Sequence, residues 1–238
     1  MSDRSLLMAM RLADSFLPVG TYTASYGIEQ YVNEGRIETA EELGDLIGSY
    51  LERMVGPADL VALGNAHAAT ASGDHDRLCT IDERLQAATL PAEFRESSAK
   101  AGSQLLDLLL ETDEGLLDGD DGTATAALDY AESVAEDETS GMYPVVLGVV
   151  TQRSGITRRD ACLLDAYAFS TELLGAAQRL GAFGHTAIQR QLSELLPVIE
   201  AVCAEYADAE LAALSSFGPL AEIMGMHHER ADRRLFMS

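Results

Sequence analysis

Apolar residues recur along this chain at steps of three and four. In Leu43, Leu46, Ile47, Tyr50, Leu51 and Met54 they mark one face of an α-helix, and Thr39 followed by Glu42 supplies a capping box at its start. Pro57 stands where a new helix can open, carrying Leu60, Val61 and Leu63 towards the Ser72-Gly73 break. Thr157 and Asp160 open another, which runs through Leu163, Leu164, Tyr167 and Leu174 to Leu180 before Gly181 and Gly184. The same reading places helices at about 4–16, 24–34, 75–88, 92–111, 123–137, 186–206 and 208–225. Only 143–150, with Val145, Val146, Val149 and Val150, has the apolar run of a buried strand. One strand makes no sheet, so this segment too is read as buried helix. The expected fold is all-α: a single compact bundle of roughly ten helices over 1–226, followed by a C-terminal docking tail over 227–238.

Composition changes this picture in one respect. The 238 residues suit one or two domains, and 47% of them are apolar, which is normal for a packed globule. Net charge is the outlier, at −23 from 16 basic and 39 acidic residues. Lys100 is the sole lysine; the other cations are arginines. Such a surface lacks the cations that neutralise phosphates, which argues against nucleic-acid partners and against anionic membranes. An acidic coat on a folded body is expected instead, self-repelling at low ionic strength and screened over about 3 Å in molar salt, which suggests a salt-rich cytoplasm. Cys79, Cys162 and Cys203 are odd in number, far apart and without a Cys-x-x-Cys pair, so reduced thiols are expected. Residues 1–11 lack the apolar core of a signal peptide, and no apolar run reaches membrane-spanning length.

Motifs for chemistry are missing. Lys100 follows Ala99 rather than closing a Gly-rich phosphate loop. His228-Glu229 is followed by Arg230, Ala231 and Asp232, which breaks a zinc-protease motif. No Gly-x-Ser-x-Gly elbow occurs. The acidic stretches 111–121 and 132–138 lack the ligand spacing of a calcium loop and read as solvated connectors. His227 and His228 are adjacent, about 100° apart on a helix, which suits one metal ion poorly. They stay weak metal candidates, and His67, His75 and His185 read as polar or capping residues. Two alternatives stay open: an all-α enzyme with an unrecognised site, and a direct nickel or zinc carrier using the C-terminal histidines.

Two segments stand out. The first, Leu17 to Glu29, is rich in small and hydroxyl residues, with Pro18 and Gly20 punctuating the backbone and Gly27 able to admit another backbone closely. The second, His227 to Ser238, gathers Arg230, Arg233 and Arg234 beside Leu235, Phe236 and Met237. A basic, apolar tail on an acidic protein suits a docking peptide, although folding back on its own body is the other reading.

Together these segments resemble the urease accessory protein F family (UreF). Pro18, Val19, Gly20, Tyr22, Thr23, Ser25, Gly27, Ile28 and Glu29 match the family's N-terminal run without a gap. Pro219, Glu222, Ile223, Met226, His228, Glu229, Arg234, Leu235, Phe236 and Ser238 match its C-terminal pattern. Between them, Glu93, Arg95, Ser98 and Gly102 resemble a family helix, Tyr143-Pro144-Val145-Val146 its Tyr-Pro-Val-Val segment, and Gly184 with Gln189-Arg190 a further stretch. Thr21, Ala24, His185 and Asp232 depart from the pattern. The resemblance implies an all-α, dimeric, cytoplasmic accessory protein that is not an enzyme and has no cofactor of its own. It implies binding to a D/H-type accessory protein and recruitment of the G-type GTPase, so that nickel is inserted into apo-urease. The partner-binding residues it implies are Tyr22, Ser25, Gly27, Glu29, His228, Glu229, Arg234, Leu235, Phe236 and Ser238.

Overall fold

Two helices with almost no polar face form the centre of the molecule. In a computed structural model of the chain, residues 2–14, 16–19, 26–113, 115–117 and 122–228 are described. The central pair is α4 (Val61–Ser72) and α8 (Tyr143–Arg153). In α8 every residue from Pro144 to Thr151 is buried, as expected of a helix apolar on all sides. The valine run therefore forms a helix, opened by Pro144 in its first turn, where a missing N–H costs nothing. Gly148 lets α8 approach α4 closely: a Cβ there would lie 2.7 Å from the Leu63 carbonyl oxygen.

The remaining helices wrap this pair. They are α1 (Asp3–Leu12), α2 (Ile28–Asn33), α3 (Ala40–Tyr50), α5 (His75–Ala88), α6 (Ala92–Thr112), α7 (Gly122–Ala135), α9 (Arg158–Arg179), α10 (His185–Tyr206) and α11 (Pro219–His228). No strand occurs among the described residues. Helices α9 and α10 pack on each other, α10 also covers α3, and α6 lies along α8. The capping box of Thr39 and Glu42 is formed, and Thr157 caps α9 through the Asp160 N–H.

Two expectations change. Pro57 does not open a separate helix. From α3 the helix continues through Leu51–Leu60 with the wider i→i+5 pattern and runs directly into α4. Pro57 has no N–H for the Arg53 carbonyl, its i−4 acceptor; the Phe217 N–H donates to that oxygen at 3.1 Å, and the Ser215 N–H to the Pro57 carbonyl at 3.0 Å. Those bonds explain the second difference. Residues 214–218 are not helical but run beside the widened segment, leaving only a 3₁₀ turn at Leu211–Ala213 before α11. Helix α11 continues through His227 and His228.

Candidate functional site

Segments remote in sequence meet where α2, α6, α8, α9 and α11 converge. Tyr26 and Gly27 enter α2 through the left-handed region, at φ +47° and +79°. A Cβ on Gly27 would lie 3.3 Å from the backbone nitrogen of Gly225 in α11. Gly225 is equally constrained, because its own Cβ would lie 2.8 Å from Cζ of Phe94 in α6. The paired glycines let α2, α11 and α6 close on one another. The Tyr26 ring packs 4.9 Å from Phe94 and, edge-on, 5.1 Å from Phe169 of α9. The Tyr50 hydroxyl donates to the Tyr26 carbonyl at 3.2 Å, holding the left-handed turn in place.

The opposite wall comes from α6 and the start of α8. Ser98 accepts the Tyr143 N–H at 3.1 Å, and Gly102 lies so close to the Gly141 carbonyl that a Cβ would overlap it. The Arg95 guanidinium donates to the Thr89 and Leu90 carbonyls at 2.8 and 2.6 Å, tying the chain just before α6. Asp82 of α5, fully buried, accepts from the Thr139 hydroxyl at 2.7 Å, the Gly141 N–H at 2.9 Å, the Met142 N–H at 2.7 Å and the Tyr130 hydroxyl at 3.2 Å. This carboxylate fixes the 139–142 turn and so aims Tyr143 and Pro144.

Between these walls lies a narrow, partly open recess with a free interior of about 80 Å³. Its apolar lining includes Met54, Phe94, Met142 and Phe169, while Asp59, Asp165, Glu172 and Glu222 bring carboxyl groups into it. Burial pushes the Asp59 carboxyl up to about 7. Burial raises Asp165 well above the usual carboxylate range, and the fields of Asp59 and Glu172 add to it. The Tyr26 phenol is raised by burial and then by Asp59, Glu172 and Asp165; Tyr143 is raised by burial and by Asp165 and Glu172.

Of the residues singled out in the sequence, Gly27 and Glu29 are buried in the chain itself. The backbone of His227 and His228 belongs to α11. Tyr22, Ser25, Glu229, Arg234, Leu235, Phe236 and Ser238 lie outside the described residues. His67 Nε2 lies 2.9 Å from the Ile156 carbonyl, and burial lowers its proton affinity, so the neutral ring donates there. His75 Nε2 lies 3.1 Å from the Ser133 hydroxyl, and His185 begins α10. All three cysteines are free thiols; burial pushes Cys203 up to about 12 and raises Cys162 and Cys79 as well. No group of three or more His, Cys, Asp or Glu placed to hold a metal ion occurs among the described residues, and none of their helices is long and apolar enough to cross a membrane.

Periodicity alone gives Asp59 and Asp165 no chemical role. Their signal was positional: Asp165 falls in the apolar register of Ala161, Cys162 and Phe169, and Asp59 interrupts the run Val55 to Leu63. A carboxylate on an apolar stripe is the informative exception to the rule that charge faces water.

Comparison with known proteins places these features in a family. The UreF family model matches residues 37–196. The Urease accessory protein UreF of Trichodesmium erythraeum (strain IMS101) is 32% identical over 236 residues, covering 97% of this chain and 95% of that protein. Urease accessory protein UreF 1 of Brucella melitensis biotype 1 is 28% identical, covering 98% and 92%. The UreF of Yersinia enterocolitica serotype O:8 is 27% identical, covering 99% of each chain.

Proposed function

The chain belongs to the UreF family of urease accessory proteins, and from that premise we propose that it acts by protein contact as a nickel-insertion chaperone. In this reading it has no catalytic activity of its own, works in the cytoplasm as a homodimer, binds a D/H-type accessory protein and recruits the G-type GTPase to apo-urease. One observation carries the docking part. Phe217, Leu220, Ile223 and Met226 are exposed by 68, 50, 45 and 36% and recur at steps of three along and just before α11. In sequence this apolar stripe is followed by the basic, apolar segment 229–238, and exposed apolar residues together with Arg and Phe are a composition interfaces favour.

Arg234, Leu235 and Phe236 then anchor the D/H-type protein, the guanidinium through paired hydrogen bonds and the ring through buried area. His228, Glu229 and Ser238 orient the tail. Tyr22 and Ser25 also meet a partner in this reading, whereas Gly27 and Glu29 are buried in the chain itself. Deleting residues 227–238 is expected to abolish co-purification of the D/H-type protein while the far-ultraviolet circular dichroism keeps its helical form. Phe236→Ala alone is expected to weaken it at least tenfold. Undiminished capture by both variants refutes the tail as anchor.

A further inference from the structure

The recess gathers carboxyl groups, and no cation stands among the described residues that line it. Asp165 and Glu222 line it and are only 7 and 8% exposed; neither side chain makes a hydrogen bond or ion pair with another described residue. A buried carboxyl without a hydrogen-bond partner is costly, and one that faces a recess can accept from a donor that enters it. The carboxyls come from different elements: Asp59 from the widened helix, Asp165 from α9, Glu222 from α11. They do not gather into a metal-holding set, and the surface between them is apolar and aromatic, with the Tyr26 ring tilted against Phe94 and edge-on to Phe169.

That combination suits a cation that is spread out, weakly hydrated and rich in donors. A guanidinium presents five N–H groups in one plane, reaches separate carboxylates and stacks its face on aromatic rings. An ammonium is a compact, strongly hydrated point charge and matches apolar walls less well. We propose that the recess is a binding site for a guanidinium group, with Asp165 and Glu222 accepting its N–H donors and the Tyr26–Phe169 wall receiving its face. The group arrives either on a small free molecule or as an arginine side chain of another protein. The site is independent of whether the C-terminal tail docks.

The test titrates the full chain, ¹⁵N-labelled and at pH 8, with methylguanidinium, methylammonium and the peptide acetyl-Gly-Arg-Gly-amide, following the amides of Tyr143, Phe169 and Glu222. Saturable shifts with methylguanidinium, at least tenfold weaker with methylammonium, are expected. Asp165→Asn and, independently, Glu222→Gln are each expected to weaken binding at least tenfold, whereas Glu194→Gln, which changes an exposed carboxylate of α10, leaves it unaltered. Tighter binding of the peptide identifies a protein arginine as the source; exclusion of the peptide with methylguanidinium still bound identifies a free molecule. Shifts that never saturate, equal affinity for methylammonium, or unchanged binding in both recess variants overturn the proposal.

Discussion

Replacing Asp59 by Asn should stabilise the protein, and the gain should depend on pH in one direction only. Burial lifts this carboxyl to about 7 in the folded chain, against roughly 4 when unfolded. Between those values the folded state holds a proton that the unfolded state has lost, so the wild-type residue costs nothing below about pH 4. The cost grows as pH rises and levels off above about 7. A difference of about three units at about 1.4 kcal/mol each gives about 4 kcal/mol as the upper figure. Water entering the recess lowers it, so a gain on the order of 2–4 kcal/mol is expected at pH 8, and about half of that at pH 5.5. For a chain of 238 residues the pH 8 figure corresponds to a rise in Tm of roughly 4–16 °C. Urea unfolding of both proteins, followed by circular dichroism from pH 5.5 to 8.5 at one fixed salt concentration, reads the difference directly. A difference that does not grow with pH, or an Asn variant less stable at pH 8, refutes the assignment of Asp59 as a buried, uncompensated carboxyl.

Three other outcomes follow from the packing. Asp82→Ala leaves the Gly141 and Met142 N–H groups without an acceptor, and should cost about 3–5 kcal/mol in the same unfolding assay. Gly102→Ala drives a methyl group into the Gly141 carbonyl; a loss of about 1–3 kcal/mol is expected, and the Tyr143 amide resonance should move as its bond to Ser98 is strained. Finally, Tm should rise as potassium chloride increases towards molar concentration, because a net charge of −23 repels itself until it is screened; a Tm that falls with salt contradicts the reading of the acidic coat.

Much of this fold was legible from spacing. The steps of Leu43 to Met54 and the Thr39–Glu42 pair located α3 and its cap, and excluding a solitary strand assigned 143–150 to a helix. Two errors share one cause. Local rules give Pro57 a helix start and give 208–225 a helix, but the carbonyl that Pro57 leaves free is satisfied by residue 217, far along the chain. No local window contains both partners. The site was legible in part for the same reason. Gly27 was marked as a place of close approach, but that Gly225 meets it, and that Phe94 lies behind Gly225, is a property of the assembled bundle. Asp59 and Asp165 were hidden differently: in a chain with 39 acidic residues, two carboxylates gain meaning only when their burial is known.

The acidic coat and the acidic recess therefore obey different physics despite sharing a sign. Coat carboxylates face solvent, where mobile ions screen them within a few ångströms at molar salt. Asp59 and Asp165 are shifted chiefly by burial, a loss of hydration that the screening of distant surface charge does not restore. Raising salt should thus flatten the part of the stability–pH curve that belongs to the coat and leave the part that belongs to the recess. The difference between wild type and Asp59→Asn should keep its size and its rise through about pH 7 from low to molar salt, even as both proteins gain stability together. If that difference collapses with salt, Asp59 is sensing the surface field rather than its own burial, and the recess is wetter and more open than its lining of Met54, Phe94, Met142 and Phe169 indicates.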